Sequence, residues 1–389
     1  MKSSRVTSGI DRRHFLAATG GSLLAAAVPA AGDAAGFVTG KSAGGAAAGA
    51  DRSAVRSAGP AAPETPPKRK IPIGVFDPVY KNLPMDAMLD KVSALGLEAM
   101  EIGTGGYPEA HHCPVDELLA DASKAKAWQK KFEDRGIHVA TLSWHGNPIH
   151  PDPKHAARDA ETFRKTVLLA ERLDVKVIVG FSGCPGGSAT DSQPNWITYR
   201  WPPEYAEMHD WQWKEKVVPY WKEAAKFARE HGIHKLAFEM HPNFVVYNPR
   251  TLLKLREAVG EEIGANCDLS HLFWQGCDPV EVIHFLGKQG AIYHAHMKDT
   301  AFYPDNVNKY GVLNFAFETT DLPLASETFR AVGYGHGAEL WKSIIKAYMD
   351  IGYQGILSIE NEDPILAGEV GVERAAYVLK NVRNELLGT

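Results

Sequence analysis

The chain has 389 residues, 44% hydrophobic, 10% aromatic and 23% charged, enough apolar material to bury a large core, which excludes a chain disordered throughout. Its 42 Lys and Arg against 47 Asp and Glu leave a formal net charge of -5. With no long basic run, the electrostatic footprint of a nucleic-acid binder is missing, and a small molecule is the expected partner.

The amino terminus reads as an address. In "DRRHFLAATGGSLLAAAVPAAGDA", Arg12 and Arg13 precede His14, Phe15, Leu16 and a short Ala/Gly-rich apolar run. This is the pattern of a twin-arginine signal peptide, with Asp11 where Ser or Thr is usual, and it predicts export to the periplasm or beyond from residues 1–35. Residues 36–70 are Ala, Gly, Ser and Pro closing in "PETPPKRK", a composition with no apolar face to bury and hence a linker. A domain over residues 71–389 follows. No stretch reaches the roughly 18 to 20 apolar residues of a membrane span. Cys113, Cys184, Cys267 and Cys277 lack paired zinc spacing, and the sequence leaves disulfides open.

From Ile71 the text alternates. The apolar, mostly β-branched runs "IPIGVF", "EAMEIG", "IHVATLSW", "VKVIVGF", "KLAFEM", "IGANCDL", "AIYHAHM" and "GILSIE" are separated by amphipathic stretches such as "DAMLDKVSALGL" and "KEAAKFAREHGI". Strand and helix alternating about eight times predicts an α/β fold, a single (β/α)8 TIM barrel. The competing doubly wound sheet wants a phosphate-binding glycine loop after an early strand, and "GVFDPVY" offers none. The aromatic segments "NWITYRWPPEY" and "HDWQWKE" form a long insertion after strand four, read as a lid, with plain loop packing as the alternative.

Barrel chemistry sits at the carboxyl ends of strands. Strand three ends in Trp144 and His145, expected to line a sugar pocket. Strand five brings Glu239 and His241 to one face by the period of two, strand six brings Asp268 and His271, strand seven His294, His296 and Lys298, and strand eight Glu360. Carboxylates converging on a barrel mouth without a cation are strongly disfavoured. Carboxylates with an imidazole and no thiolate suit one Mn²⁺, Co²⁺ or Mg²⁺ ion, with Zn²⁺ less favoured.

The series Glu239, Asp268-x-x-His271, "HAHMKD" and Glu360 resembles the xylose-isomerase-like barrel superfamily over roughly Ile71 to the carboxyl terminus. The segments "SWHGNPIHPD", "FSGCPG", "WPPEY", "FRAVGYGHGAELWKSII" and "SIENEDP" resemble its sugar phosphate isomerase/epimerase members in particular. The resemblance implies a divalent ion held by Glu239, Asp268, His296 and Glu360. Of the two histidines it selects His296, which immediately precedes "MKD". It also implies proton transfer by Glu239 and Glu360 on opposite faces of a substrate carbon.

The expected activity is therefore a metal-dependent sugar isomerase or epimerase working through an enediolate. His271, Lys298 and His241 are expected at the substrate or behind the ligands; a Lys298–Asp299 surface salt bridge is the bland alternative for the lysine. Export argues for an unphosphorylated sugar, glycoside or inositol. The same residues also suit a lyase or dehydratase that eliminates an aglycone or water from a 3-keto-glycoside or inosose. A secreted sugar-binding barrel without chemistry would be expected to lack one of the two glutamates, and a nuclease would want more histidines and a basic face. The oligomeric state stays open, and a homo-oligomer is compatible with the sequence.

Overall fold

A computed structural model describes residues 69–314, 319–366 and 368–389. The segment read as a signal peptide, and the expected linker apart from Arg69 and Lys70, lie outside the described residues. Those two side chains reach the domain, Arg69 at Gln354 and Lys70 at Glu98.

The strands that shape the barrel are β1 Ile73–Phe76, β2 Ala99–Gly106, β3 His138–His145, β4 Val177–Gly180, β5 Lys235–Glu239, β6 Ile263–Asn266, β7 Ile292–His294 and β8 His296–Met297; β11 is Leu357–Ile359. Every pairing among them is parallel, in the order β7, β6, β5, β4, β3, β2, β1, β11, β8. The two ends of that list, β7 and β8, are separated only by Ala295. They are one stave in two pieces, so the sheet meets itself and the predicted TIM barrel is the observed architecture.

The helices follow from local chemistry. The stretch predicted from "DAMLDKVSALGL" is α1 Met85–Ala94, closed by Gly96 at φ 61°, a backbone region that glycine enters freely. The stretch "KEAAKFAREHGI" belongs to α6 Val218–Glu230, closed by Gly232 at φ 74°. Between strand and helix, α4 Pro153–Leu173 starts on an Asp152 cap and α7 Pro249–Val259 on an Asn248–Thr251 capping box, each with Pro at its start. Trp144, Trp221 and Trp341 are among the largest fully buried side chains, set in a continuous apolar core. All four cysteines are free thiols. No helix among the described residues is long and apolar enough to cross a membrane.

Two insertions shape the mouth. After β4 the chain runs irregularly to α5 Pro203–Trp211 and a π-helical turn Gln212–Val217. Gln212 Nε2 donates to the carbonyls of Pro185, Gly186 and Asn195 at 3.3, 3.0 and 2.7 Å. This anchors the inner half of the insertion, while Tyr199 and Trp201 remain exposed. The second insertion was not anticipated from sequence: β9 Asp299–Phe302 pairs antiparallel with β10 Glu327–Arg330. Asp299 ties it down, its Oδ2 accepting the backbone N–H of Gly333, Gly335 and His336 and the indole of Trp341, all at 2.9–3.1 Å. Asp299 is thus committed to a turn, and the surface salt bridge considered for Lys298 does not form.

Candidate metal and active site

Glu239 closes β5, Asp268 lies two residues past β6, His296 opens β8 and Glu360 follows β11. One ligand-type atom from each of the four lies within 4.8 Å of the others. His296 Nδ1 is 3.0 Å from Glu360 Oε2, 3.5 Å from Glu239 Oε2 and 3.9 Å from Asp268 Oδ2. Glu239, Asp268 and His296 are buried, while the Glu360 side chain keeps 15% of its surface exposed.

Asp268 Oδ1 accepts the Ser270 amide at 2.9 Å. Asp268 Oδ2 and His296 Nδ1, although ringed by charge, make no well-aligned hydrogen bond and are buried. Buried polar atoms are rarely left so. Two chelating atoms without an aligned hydrogen bond, beside two further carboxylates, fit a divalent cation with an oxygen-rich shell.

Burial alone would raise the Glu239 carboxyl, but hydrogen bonds from His145 and His271 and the charges of His296 and Lys298 hold it well below its ordinary value. Burial likewise opposes ionisation of Asp268, and Lys298 and His271 outweigh it. Burial disfavours the Lys298 ammonium, yet Asp268, Glu360, Glu362 and Glu239 lift its pKa well above the usual lysine value. Its Nζ sits 3.0 Å from Asp268 Oδ2, 2.7 Å from Glu360 Oε2 and 2.9 Å from Glu362 Oε2, over the Phe329 ring at 4.6 Å.

The other expected residues divide. His271 Nε2 stands 3.0 Å from Glu239 Oε1 and 3.5 Å from Asp268 Oδ2, behind the carboxylates. His145 Nε2 lies 3.6 Å from Glu239 Oε2 and borders the cavity. His241 also borders it, its ring 4.2 Å from that of His271, and burial pushes its pKa down to about 3, so it is neutral at ordinary pH. Trp144 is a correction. It is 1% exposed and packs on Phe163 and Trp221, away from the sugar pocket it was expected to line. Adjacent strand residues face opposite sides, so Trp144 and His145 cannot both point inward.

The cavity above the carboxylates, bordered by Phe76, Tyr107, Phe181 and Lys298, opens into a cleft of about 760 Å³ that shares Tyr107, His145, Phe181 and His241 with it. One wall of the cleft carries Phe244, stacked on Phe181 at 4.1 Å; another carries His150, His155 and Arg158.

With this geometry in place, comparison with known proteins becomes informative. The profile of the xylose isomerase-like TIM barrel matches residues 89–382. The chain belongs to the xylose isomerase-like TIM barrel family. Among curated proteins it is similar to "Uncharacterized protein YfiH" of Bacillus subtilis, 38% identical over 304 residues, covering 77% of this chain and 95% of that one. Among solved structures, a D-tagatose 3-epimerase-like protein is similar in fold at 19% identity and TM-score 0.54, covering 82% of this chain and 98% of that one. The probable 3-DHS dehydratase AsbF of Bacillus anthracis is similar at 16% identity and TM-score 0.53, covering 80% and 99%. At these identities the two structures speak for the fold.

The xylose isomerase-like barrel also holds residues that sequence reasoning passed over. Glu362 pairs with Lys298, and Phe329 reaches Lys298 from β10, a strand that had not been predicted. Glu101, in the middle of β2, is fully buried against His294 and His296. The signal for it was a lone acidic residue inside an apolar strand run, "EAMEIG".

Proposed function

We propose that the chain is a divalent-metal-dependent isomerase or epimerase of an unphosphorylated sugar or sugar derivative, with Glu239 and Glu360 carrying the proton. The observation behind this reading is the convergence of Glu239, Asp268, His296 and Glu360 to within 4.8 Å, with Asp268 Oδ2 and His296 Nδ1 buried and without an aligned hydrogen bond. These four residues would hold the ion. When bound, the ion supplies a positive centre that polarises a substrate carbonyl and makes the neighbouring C–H acidic.

Glu239 is the base. It is buried and held ionised by His145, His271 and Lys298, so it takes the proton alpha to the carbonyl and the electron pair moves toward the carbonyl oxygen. Glu360 returns a proton to the opposite face in epimerisation, or to the neighbouring carbon in isomerisation. Its partly exposed edge lets it trade protons with water between turnovers. Lys298 stands beside Glu360 to offset developing negative charge. The unphosphorylated substrate rests on the proposed twin-arginine export of residues 1–35.

A second reading is favoured by the 760 Å³ cleft beside the carboxylates. It leaves room for an aglycone, and the same base acting on a 3-keto-glycoside would expel that group, making the protein a carbon-oxygen lyase. One experiment tests both. The purified protein, loaded with Mn²⁺ or Co²⁺, is incubated with ketoses, inososes and 3-keto-glycosides in deuterated water. Deuterium at the carbon beside the carbonyl without loss of a group supports isomerisation, and release of the aglycone or of water supports elimination. No deuterium uptake and no release from any substrate, by protein that binds the sugars, would return the barrel to a sugar-binding role.

A further inference from the structure

Below the four residues lies a second polar layer across the barrel lumen. Glu101 on β2 is fully buried. Its Oε2 accepts from His294 Nε2 at 2.7 Å, His296 Nε2 at 2.9 Å and Ser358 Oγ at 2.8 Å, and Ser143 Oγ donates to its Oε1. Strands β2, β3, β7, β8 and β11 therefore meet on one carboxylate.

An ionised carboxylate only accepts hydrogen bonds, so the nitrogens facing it must carry protons. With Nε2 of His296 turned to Glu101, Nδ1 is the ring nitrogen that faces the other three residues. That atom has no aligned partner and lies between Glu239, Asp268 and Glu360.

We infer that Glu101 is a positioning residue for the metal centre: it fixes the tautomer and plane of His296 and presents Nδ1 to the cation. The inference rests on the metal reading above and extends it to a residue outside the four. Carboxylates behind metal-bound imidazoles raise ligand basicity and orient the ring, and their loss commonly weakens metal binding about 10- to 100-fold.

The test is calorimetric titration of Mn²⁺ and Co²⁺ into the metal-free full chain and its Glu101→Gln variant, repeated from pH 5.5 to 8. E101Q keeps the shape of the side chain and removes its charge. We expect one ion per chain in both, with affinity about 10- to 100-fold weaker in E101Q at every pH of the series. In the Co²⁺ complex, proton NMR should show a shifted, slowly exchanging His296 Nε2–H in the wild type that exchanges fast in E101Q. A change that only weakened the fold would leave that resonance in place.

If E101Q does not fold, Ser358→Ala removes one donor to Glu101 and should cost about fivefold in affinity, the net size of one typical hydrogen bond. Wild-type affinity and an unchanged NMR signal in E101Q, or in S358A if that variant must be used, overturn the inference. Two ions per chain falling to one in E101Q also overturn it, because Glu101 would then be a ligand itself. Failure of the wild type to bind either ion sinks the metal reading, a different result from either of these.

Discussion

Two buried carboxylate–imidazole clusters in this barrel look alike in composition and differ in how completely they are satisfied. Asp77, in the turn after β1, accepts the Gly103 amide on Oδ1 at 2.7 Å and pairs through Oδ2 with His112 Nδ1 at 2.6 Å. His112 Nε2 reaches the Leu83 carbonyl at 3.1 Å, so every side-chain polar atom of that pair has a partner. At the mouth, Asp268 Oδ2 and the Nδ1 atoms of His145, His271 and His296 make no aligned hydrogen bond, although charged groups stand close to Asp268 and His296. A saturated ion pair inside a protein holds loops together, whereas an unsaturated one is kept for something that arrives. Burial and residue type alone do not separate the two clusters; counting partners does.

The comparison is open to attack at several strengths. The largest effect should come from Glu239→Gln, expected to lower turnover about 10²- to 10⁴-fold without lowering the denaturant midpoint, read by activity and urea unfolding together. In the closed cluster His112→Ala should do the reverse. It leaves a buried carboxylate unpaired and should cost about 3 to 5 kcal/mol in urea unfolding, with metal affinity unchanged. Should H112A weaken metal binding instead, the distinction between the clusters fails.

Mn²⁺ at 100 times its dissociation constant should raise the unfolding free energy by about 2.7 kcal/mol. Asp268→Asn should abolish most of that rise, and H112A should retain it, as measured by thermal shift. A pH test comes next. Asp363 accepts Arg330 Nε and the amides of Ala331, Ile365 and Leu366. Burial opposes its ionisation, but these donors hold its pKa below the ordinary value. A depressed carboxylate stabilises the fold fully above its unfolded pKa of about 3.9, and the contribution fades as pH falls through the folded value. Asp363→Asn should therefore be destabilised at pH 6 and converge on the wild type as pH falls below the folded value, measured by urea midpoints across the acid range. The smallest functional effect belongs to Trp144→Phe, which should cost about 1 to 3 kcal/mol of stability and leave the KM for sugar unchanged.

Much of this was legible in the sequence. All eight staves fall on the predicted apolar runs, because parallel strands buried on both faces read as continuous hydrophobic text. The rule that barrel chemistry gathers at strand ends found Glu239, Asp268, His296 and Glu360, which the fold brings together. What escaped had weaker signals. The strands "DTAF" and "ETFR" are four residues each, far apart in the chain, and exist through pairing that no local pattern announces. Glu101 lies in mid-strand, where the strand-end rule does not look. The expectation for Trp144 failed because strand alternation was not applied between neighbouring residues.

The seam of the cylinder falls at Ala295, with His294 on one side of it and His296 on the other. Each of these histidines reaches across the lumen to Glu101. A single residue thus joins the mechanical closure of the wall to the aim of the imidazole at its rim. Whatever pries the wall apart there also turns that ring, so amide exchange at Ala295 and its neighbours would gauge how firmly the wall holds that imidazole in place.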